Sequence, residues 1–510
     1  MAQTLYKGLN MSKDRIDYFI GYKLLDALTT GMYNNPLMIY REYIQNSVDA
    51  IDEAVDRKIL DFNNHKIDIF IDGKLRSITI IDNGTGVKED DITLRLCSIG
   101  NSKKDFFKER GFRGIGRLGG LGYCENLIFE TKTEDSESVF KITFAKKDIM
   151  ALLKSSKDIS LNEGLNKIIS ITKRKKESHE KNRFFKVTMK DVINFHKDDL
   201  MDLNSIEKYV SKNAPLPYNL INFSFAPEIN DYLNDIDGFK QYNIFINNKQ
   251  MFKPYNDQII YSEGKPTRIR GVSFCNFENN DGNIIAKGWI AETDLLGSLP
   301  KHELMRGIKV KQGNISVGGN NILEEIYTEK RFAGWHIGEL HVNYFIPLNA
   351  RRDDFEHVDN YEELLEQLFS LGNRLSKSCR VASQVRNEIN NINSKLENLS
   401  TVYTKIKYSG EEKFRMYNSL KERILNIEKK NIMKEQIPIL KAKYLELHKN
   451  MNHEINPETI VDKRKIKNKT KEEIIIDLYK KLKETNLSNG KIFDNIFSYY
   501  FKSSFNNFYD

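Results

Sequence analysis

The segment IYREYIQNSVDAIDEA, residues 39–54, places three polar side chains at a spacing that could serve a ligand. Glu42, Asn46 and Asp49 stand at positions i, i+4 and i+7, so a helical backbone brings them onto one stripe. Two carboxylates and a carboxamide supply the hydrogen-bonding groups of a polar binding site. Charged stripes on helices more often face solvent, so the spacing alone leaves both interpretations open.

The helix that must position this stripe has clear sequence signals. Asn35 can cap the first turn, and Pro36 suits the first helical position, where its missing N–H is not needed. Apolar residues then recur at helical spacing from Tyr40 to Val55. We therefore expect a helix with one apolar face and the polar stripe beside it.

A second candidate segment is DNGTG, residues 82–86. The preceding residues alternate apolar and polar side chains around a turn at residues 72–73, which predicts an antiparallel hairpin in a mixed or antiparallel sheet. Gly84 and Gly86 allow a sharp turn and a close approach to a ligand, with Asp82 left free to accept a hydrogen bond. An ordinary Asn-Gly turn is the alternative.

The third candidate is the glycine-rich stretch GFRGIGRLGGLG, which begins at residue 111. Such a stretch can cradle phosphate with backbone N–H groups, or it can form a flexible loop. This stretch does not follow a first βα unit with an acidic residue some 20 positions further on, which disfavours a Rossmann site. The sequence also lacks GxxxxGK[ST], the motif of a P-loop.

In this order the three segments resemble the N, G1 and G2 boxes of the GHKL ATPases, the superfamily of gyrase B, 90-kDa heat-shock chaperones, histidine kinases and MutL. The segment SIGNSKK, residues 98–104, resembles the stretch before the nucleotide lid of MutL and MORC proteins. The resemblance implies an α+β fold. Its first part would be a Bergerat-type α/β sandwich, a mixed sheet with helices on one face.

The resemblance also implies a role for each matched residue. Glu42 would be the general base that activates the attacking water, and Asn46 would bind the Mg²⁺ that bridges the phosphates of ATP. Asp82 would accept the adenine amino group, and Asp49 would support the adenine pocket. The further residues implied to contact ATP are Gly84, Gly86, Ser102, Lys103, Gly111, Gly114 and Gly116.

One position departs from the pattern of the MutL-like proteins. They carry Gly-Thr before the strand that corresponds to KVTMKDV, and that threonine helps to bind adenine. In this sequence Phe184 and Phe185 stand there. The threonine contact with adenine is therefore not expected from these positions.

A further resemblance lies in FIPLNARRDDFE, residues 345–356, which is similar to a PLN-x-[ST]-R-[ED] segment in the middle domain of heat-shock-90 chaperones. It implies that Arg352 contacts the γ-phosphate, stabilises charge in the transition state and couples nucleotide state to domain position. The adjacent Arg351 could reach instead. Surface arginines paired with Asp353 and Asp354 are the alternative.

The predicted domains are a GHKL ATP-binding domain at 1–215, an S5-like α/β transducer domain at 216–360, and a helical coiled-coil and basic region at 361–510. Apolar residues keep a 4-3 spacing from Leu364 to Ile406, which predicts either a dimer seam or an intramolecular hairpin with the next helix. That helix is predicted over 412–435, and we expect Pro438 to interrupt the following one. The lysines at 463–471 form a solvated helix entry or contact an acidic partner.

Composition narrows the classes of function. The four cysteines of the 510 residues form no CxxC pair, which argues against a zinc site or a disulfide scaffold. The net charge of +8 is too small to establish a nucleic-acid partner. No apolar run approaches the roughly 20 residues of a membrane span. We expect a cytoplasmic protein without a membrane partner.

The resemblance thus implies an ATPase that uses ATP and Mg²⁺ for lid closure and dimerisation. It would be a chaperone-like or clamp-like switch that acts as a homodimer, with DNA or a protein client as its partner. One alternative is a DNA-associated MORC- or MutL-like ATPase of phage defence or DNA repair. Another is a nucleotide-binding scaffold with little turnover.

Overall fold

The computed structural model describes residues 35–97, 116–154, 161–178, 180–194, 197–261, 266–319, 322–349, 353–402, 410–430 and 432–452. The chain divides into two compact units, Met1–Ser383 and Gln384–Asp510. The division falls inside one long helix.

The first unit contains an eight-stranded mixed sheet in the order β5-β4-β3-β6-β2-β1-β7-β8. Neighbouring strands are antiparallel except for β1 and β7, which are parallel. The strands are β1 (Ile67–Asp72), β2 (Ser77–Asp82), β3 (Cys124–Lys132), β4 (Ser138–Ala145), β5 (Ile169–Lys175), β6 (Phe184–Val192), β7 (Ile244–Ile246) and β8 (Lys249–Gln250). The hairpin predicted from residue 66 is therefore confirmed as β1 and β2.

The helices associated with this sheet include the predicted polar-stripe helix. They are α1 (Met38–Asp56), α2 (Lys146–Lys154), α3 (Leu161–Ile168) and α4 (Leu203–Asn213). Short helices occupy Phe62–Asn64, Glu89–Asp91, Thr93–Cys97 and Gly116–Gly122. The apolar side of α1 shares one buried core with the strands; Val48 and Ile51 are fully buried there with Ile67 and Ile69.

The start of α1 differs slightly from the prediction. The helix begins at Met38 instead of at Pro36, because residues 35–37 form a turn first. The side chain of Asn35 nevertheless accepts the backbone N–H of Leu37 at 3.1 Å, so it satisfies a donor at the entrance of the helix.

Strand β7 joins the sheet from a part of the chain that the sequence placed in the second domain. Ile244 pairs with Ile67, and Ile246 with Ile69. The predicted boundary at residue 215 therefore does not coincide with the edge of the first sheet. Three residues carry too little alternation to indicate which sheet a strand will join.

A second mixed sheet has the order β11-β12-β15-β13-β14, and β9 and β10 form a separate pair. The strands are β9 (Gln258–Ile260), β10 (Pro266–Arg268), β11 (Gly271–Glu278), β12 (Ile284–Glu292), β13 (Gly307–Gln312), β14 (Ile315–Ser316) and β15 (Ile337–Val342). Helix α5 (Ala226–Leu233) and short helices at Glu324–Ile326 and Lys330–Trp335 accompany them.

The long helix α6 (Asp359–Val402) contributes its first half to the core of the second sheet. Leu364, Leu368 and Leu371 are buried there. Gly372 of this helix permits a close contact, since a Cβ at this position would collide with the carbonyl oxygen of Ile326.

In the second unit, α7 (Gly410–Lys429) and α8 (Gln436–Asn452) contact the second half of α6. Arg423 of α7 bonds Glu388 at 2.5 Å, and Lys443 of α8 bonds Asn393 at 3.1 Å. The apolar α6 residues Val385, Ile389, Ile392, Leu396 and Leu399 are at most 4% exposed within one chain. The intramolecular alternative therefore describes this part of the seam.

Three details of the helical region correct the sequence prediction. The 4-3 spacing places Ser378 in the predicted stripe, but Ser378 is exposed and Cys379 is buried instead, so the spacing is interrupted there. Helix α7 ends at Lys429 instead of residue 435. Pro438 lies in the first turn of α8, where a missing N–H is tolerated, and it does not interrupt the helix.

The α+β class is confirmed by the large mixed sheet and its helices. Among the described residues, none of the helices is both long enough and apolar enough to cross a membrane.

Candidate nucleotide site

The most informative residue of the site is Asp82, at the end of β2. It is 1% exposed, and its Oδ1 accepts the backbone N–H of Gly84 at 3.0 Å. The other carboxylate oxygen, Oδ2, is also buried and has no hydrogen-bond partner of suitable geometry among the described residues, although the Ser47 hydroxyl lies near this carboxyl group. A buried acceptor without a partner is costly, so Oδ2 marks a place where a ligand donor fits.

Burial also changes the acidity of Asp82. It raises the pKa of this carboxyl to about 7, although the Gly84 N–H, the nearby Ser47 hydroxyl and Lys181 act in the opposite direction. Burial penalises the charged form of Asp82. A ligand that donates a hydrogen bond to this side chain would therefore stabilise its carboxylate.

The loop after Asp82 is held tightly against α1 and β3. The N–H of Thr85 donates to the carbonyl of Ala50 at 3.2 Å. A Cβ on Gly84 would lie 2.6 Å from the carbonyl carbon of Ala50, and one on Gly86, which has φ +68°, would collide with the carbonyl oxygen of Lys132. Both glycines are therefore required by close backbone approach.

The polar stripe of α1 is partly buried and not a solvated face. Glu42 is 5% exposed and lies 3.4 Å from the guanidinium of Arg41, which is equally buried. Asn46 and Asp49 are half-buried along the same stripe. Tyr209 of α4 lies close by, and burial raises its pKa to about 12. Arg41 acts to lower this pKa, and Glu42 acts to raise it.

A residue that the sequence did not single out holds the glycine-rich segment. The hydroxyl of Tyr43 donates to the carbonyl of Arg117 at 3.1 Å and accepts the N–H of Gly120 at 3.2 Å. These bonds fix the short helix Gly116–Gly122 against α1. Tyr43 belongs to the apolar periodicity of α1, so its sequence pattern indicated only a core residue.

A second unanticipated residue is Thr131 of β3, which stands in register with Phe185 of β6; Phe185 in turn pairs with Asp82. The Thr131 hydroxyl accepts the N–H of Val87 at 2.7 Å, so it supports the loop that follows Gly86. Phe185 is half-buried and stacks on Phe129 at 5.9 Å between ring centroids. An aromatic ring thus occupies the position beside Asp82.

The structure brings some predicted site residues together and leaves others undescribed. The α1 stripe, Asp82, Gly84 and Gly86 converge where β2 ends against α1, and Gly116 begins the short helix held by Tyr43. The predicted residues outside the described part of the chain are Ser102, Lys103, Gly111, Gly114, Arg351 and Arg352.

The chemistry of these residues fits an adenine nucleotide with a hard cation. Oδ2 of Asp82 is an acceptor without a partner in the described chain, and the glycines allow backbone close to a ligand. No group of three or more His, Cys, Asp or Glu side chains in the described residues could hold a metal by itself. Mg²⁺ commonly binds one or two protein oxygens and completes its shell with phosphates and water, and Asn46 offers such an oxygen.

Comparison with protein families gives an independent result. Residues 38–182 match the family described as histidine kinase-, DNA gyrase B- and HSP90-like ATPase. This range contains α1, the DNGTG loop and the glycine-rich segment.

Similar curated proteins include three bacterial chaperone proteins HtpG. The protein of Fusobacterium nucleatum is 31% identical over 137 residues, 23% of either chain. That of Clostridium acetobutylicum is 29% identical over 135 residues, 23% of this chain and 22% of the relative. That of Sulfurovum is 35% identical over 105 residues, 19% and 17% of the two chains. The similarity thus spans only about a fifth of the length of these relatives.

Proposed function

We propose that this chain is a magnesium-dependent ATPase that acts as a chaperone-like conformational switch, because residues 38–182 match the family of histidine kinase-, DNA gyrase B- and HSP90-like ATPases. The chaperone character is suggested by the names of the similar proteins. Hydrolysis, the switch and the site roles are inferences from the residues described above.

The single observation that carries the proposal is that the two carboxylate oxygens of Asp82 differ in their hydrogen bonding. Oδ1 is occupied by the Gly84 N–H, and Oδ2 is buried without a partner among the described residues. One available acceptor matches the exocyclic amino group of adenine, whereas guanine presents an oxygen at the equivalent position. The site therefore favours ATP over GTP.

The remaining roles follow from the placement of the α1 stripe. Glu42 is the proposed general base, since a buried carboxylate can orient the attacking water and accept its proton. The amide oxygen of Asn46 is the proposed Mg²⁺ ligand. Asp49 supports the adenine pocket from the same helix, one turn from Asn46.

The proposed switch involves residues beyond the described part of the chain. Ser102, Lys103, Gly111 and Gly114, together with Gly116, would cover the phosphates when ATP binds. Arg352, or its neighbour Arg351, would contact the γ-phosphate and stabilise transition-state charge. Association of two ATP-binding domains would accompany closure, and hydrolysis would release them, giving a homodimer that depends on nucleotide.

Substitution of the proposed base tests the catalytic assignment. In Glu42→Ala, kcat should fall by at least about 100-fold while ATP affinity is kept, because a general base contributes to the chemical step. Glu53→Ala is the matched control on the same helix, since Glu53 pairs with Arg57 and Arg95. Normal turnover in Glu42→Ala would remove Glu42 from this role. Adding double-stranded DNA to the same assay tests the DNA-associated alternative, which predicts stimulation that falls with salt.

A further inference from the structure

Helix α1 is anchored by a segment that follows the matched ATP-binding region. Asp52 lies one turn after Asp49, and its Oδ1 accepts the hydroxyl of Tyr242 at 2.7 Å and the ammonium of Lys240 at 3.0 Å. Tyr242 is fully buried. The nucleotide helix is thus held in place by residues about 190 positions further along the chain.

The anchoring segment is itself held firmly. The ring of Tyr242 packs edge-on against Phe62 and His65, with centroids 5.6 and 5.3 Å away. Its N–H donates to the carbonyl of Pro215 at 2.8 Å. The N–H of Asn243 donates to Nε2 of His65 at 2.7 Å, directly before the parallel pairing of β7 with β1. Tyr242 therefore cannot shift independently of the first sheet.

The same segment is bonded to the second sheet. Nδ2 of Asn314 donates to the carbonyl of Lys240 at 2.8 Å. Asn314 is fully buried and lies with Gly313 in the turn between β13 and β14, where both residues have positive φ. Such two-residue turns fix the register of a hairpin, so Asn314 joins a well-defined hairpin to Lys240.

The β13–β14 hairpin makes a second contact towards α1 through α4. Lys311 Nζ and Ser316 Oγ both donate to the carbonyl of Lys212, at 3.4 and 3.0 Å, near the end of α4. One turn earlier on α4 stands Tyr209, which interacts electrostatically with Glu42. The hairpin is therefore connected through α4 to the part of α1 that carries Glu42, as well as to Asp52.

We propose that the β13–β14 hairpin responds to the position of α1, with Asp52 as a positioning residue and Tyr242, Lys240 and Asn314 as the connection. Asp49 and Asp52 belong to one helix, so a ligand that moves α1 changes the geometry at Asp52. The hairpin belongs to the second sheet. This inference rests on the proposed ATPase function, to which it adds the route between nucleotide and the second sheet.

The test exploits two asparagines with positive φ. Asn314→Gly removes the bond to Lys240 and keeps a backbone that glycine adopts without strain. Asn248→Gly makes the same change at an exposed turn, where φ is +67°, and serves as the matched control. Tyr242→Phe interrupts the route at a second point with the loss of one hydroxyl.

Hydrogen exchange of the full chain gives the first readout and needs no nucleotide. Asn314→Gly and Tyr242→Phe should both accelerate exchange in the last turns of α1, residues 49–56, while Asn248→Gly should not. If the exchange rates of residues 49–56 are the same in Asn314→Gly as in Asn248→Gly, the inference is overturned, whether or not the protein hydrolyses ATP.

Turnover gives the second readout. Asn314→Gly should lower kcat about tenfold with ATP KM changed less than about threefold, a coupling within the usual range of linked sites. ADP binding and far-UV circular dichroism confirm that the variant is folded. Unchanged kcat in Asn314→Gly would overturn the coupling, whereas a wild-type chain without ATP turnover would instead contradict the proposed function.

Discussion

At the scale of single residues, the site depends on atoms whose state the sequence cannot reveal. The resemblance predicts that the acid of DNGTG contacts adenine, and this stays a prediction. It does not predict that Gly84 occupies one oxygen of Asp82 while the other is buried without a hydrogen-bond partner of suitable geometry among the described residues. Thr131 and Tyr43 were missed because their hydroxyls reach the site from a strand and a core face that sequence periodicity treats as packing. Their contacts exist only once the chain is folded.

The raised pKa of Asp82 predicts a pH dependence of stability. The folded protein keeps a proton between the ordinary pKa of 3.8 and the folded value of about 7, so stability falls as pH rises through this window. The part of this loss that falls between pH 5 and pH 8 amounts to about 2 to 3 kcal/mol. Urea denaturation at pH 5 and pH 8 measures this loss. The stability of Asp82→Asn minus that of wild type should be more favourable to Asp82→Asn at pH 8 than at pH 5.

Asp198 provides the control for this measurement. Its hydrogen bonds with Arg76 lower the pKa of Asp198, so it stays ionised across the same range. Asp198→Asn should change stability equally at pH 5 and pH 8. An equal effect of Asp82→Asn at both pH values would contradict the account of its burial.

At the scale of elements, local sequence patterns predicted single strands and helices of the site better than they predicted which elements pack against each other. The β1–β2 hairpin and α1 followed from alternation and helical spacing. The pairing of β7 with β1 did not, because three residues hold little periodic information. The tight fit of the DNGTG loop against Ala50 and Lys132 likewise depends on how α1 and β3 meet.

That fit predicts a strong effect of Gly86→Ala. The added Cβ would collide with the Lys132 carbonyl, at a backbone with φ +68°, so unfolding stability should fall by about 2 kcal/mol or more. ATP binding should weaken with it. Gly73→Ala is the matched control, since nothing lies within 4 Å of its Cβ position. Equal stability of the two variants in thermal denaturation would show that the loop is looser than described.

At the scale of the whole molecule, the 4-3 pattern of α6 shows the limit of periodicity. It identified a buried stripe but could not say which surface covers it. Within the second unit, α7 and α8 of the same chain contact α6 and the stripe is buried. Dimerisation under the proposed function must therefore use a surface other than this part of α6.

Replacing one buried residue of that stripe tests this conclusion. Ile392→Asp places a charge at a fully buried position, which should cost about 3 kcal/mol or more in the stability of the helical unit. Ser394→Asp, at an exposed position of the same helix, should have little effect. Light scattering should give the same mass for both variants and the wild type. A fall from dimer to monomer in Ile392→Asp alone would mean that the stripe is a dimer contact.

The first measurement to make is calorimetric binding of ATP and of inosine triphosphate to the wild type and Asp82→Asn, with Mg²⁺ present. Inosine carries an oxygen where adenine carries its amino group, and Asp82→Asn would turn an amide N–H₂ towards that group because Gly84 N–H keeps the oxygen. We predict that wild type binds ATP at least about tenfold more tightly than inosine triphosphate, the cost of one unmatched buried hydrogen bond. Asp82→Asn should lose this preference. Equal binding of both nucleotides by the wild type, or an unchanged preference in Asp82→Asn, would contradict the assignment of Asp82 and with it the nucleotide site.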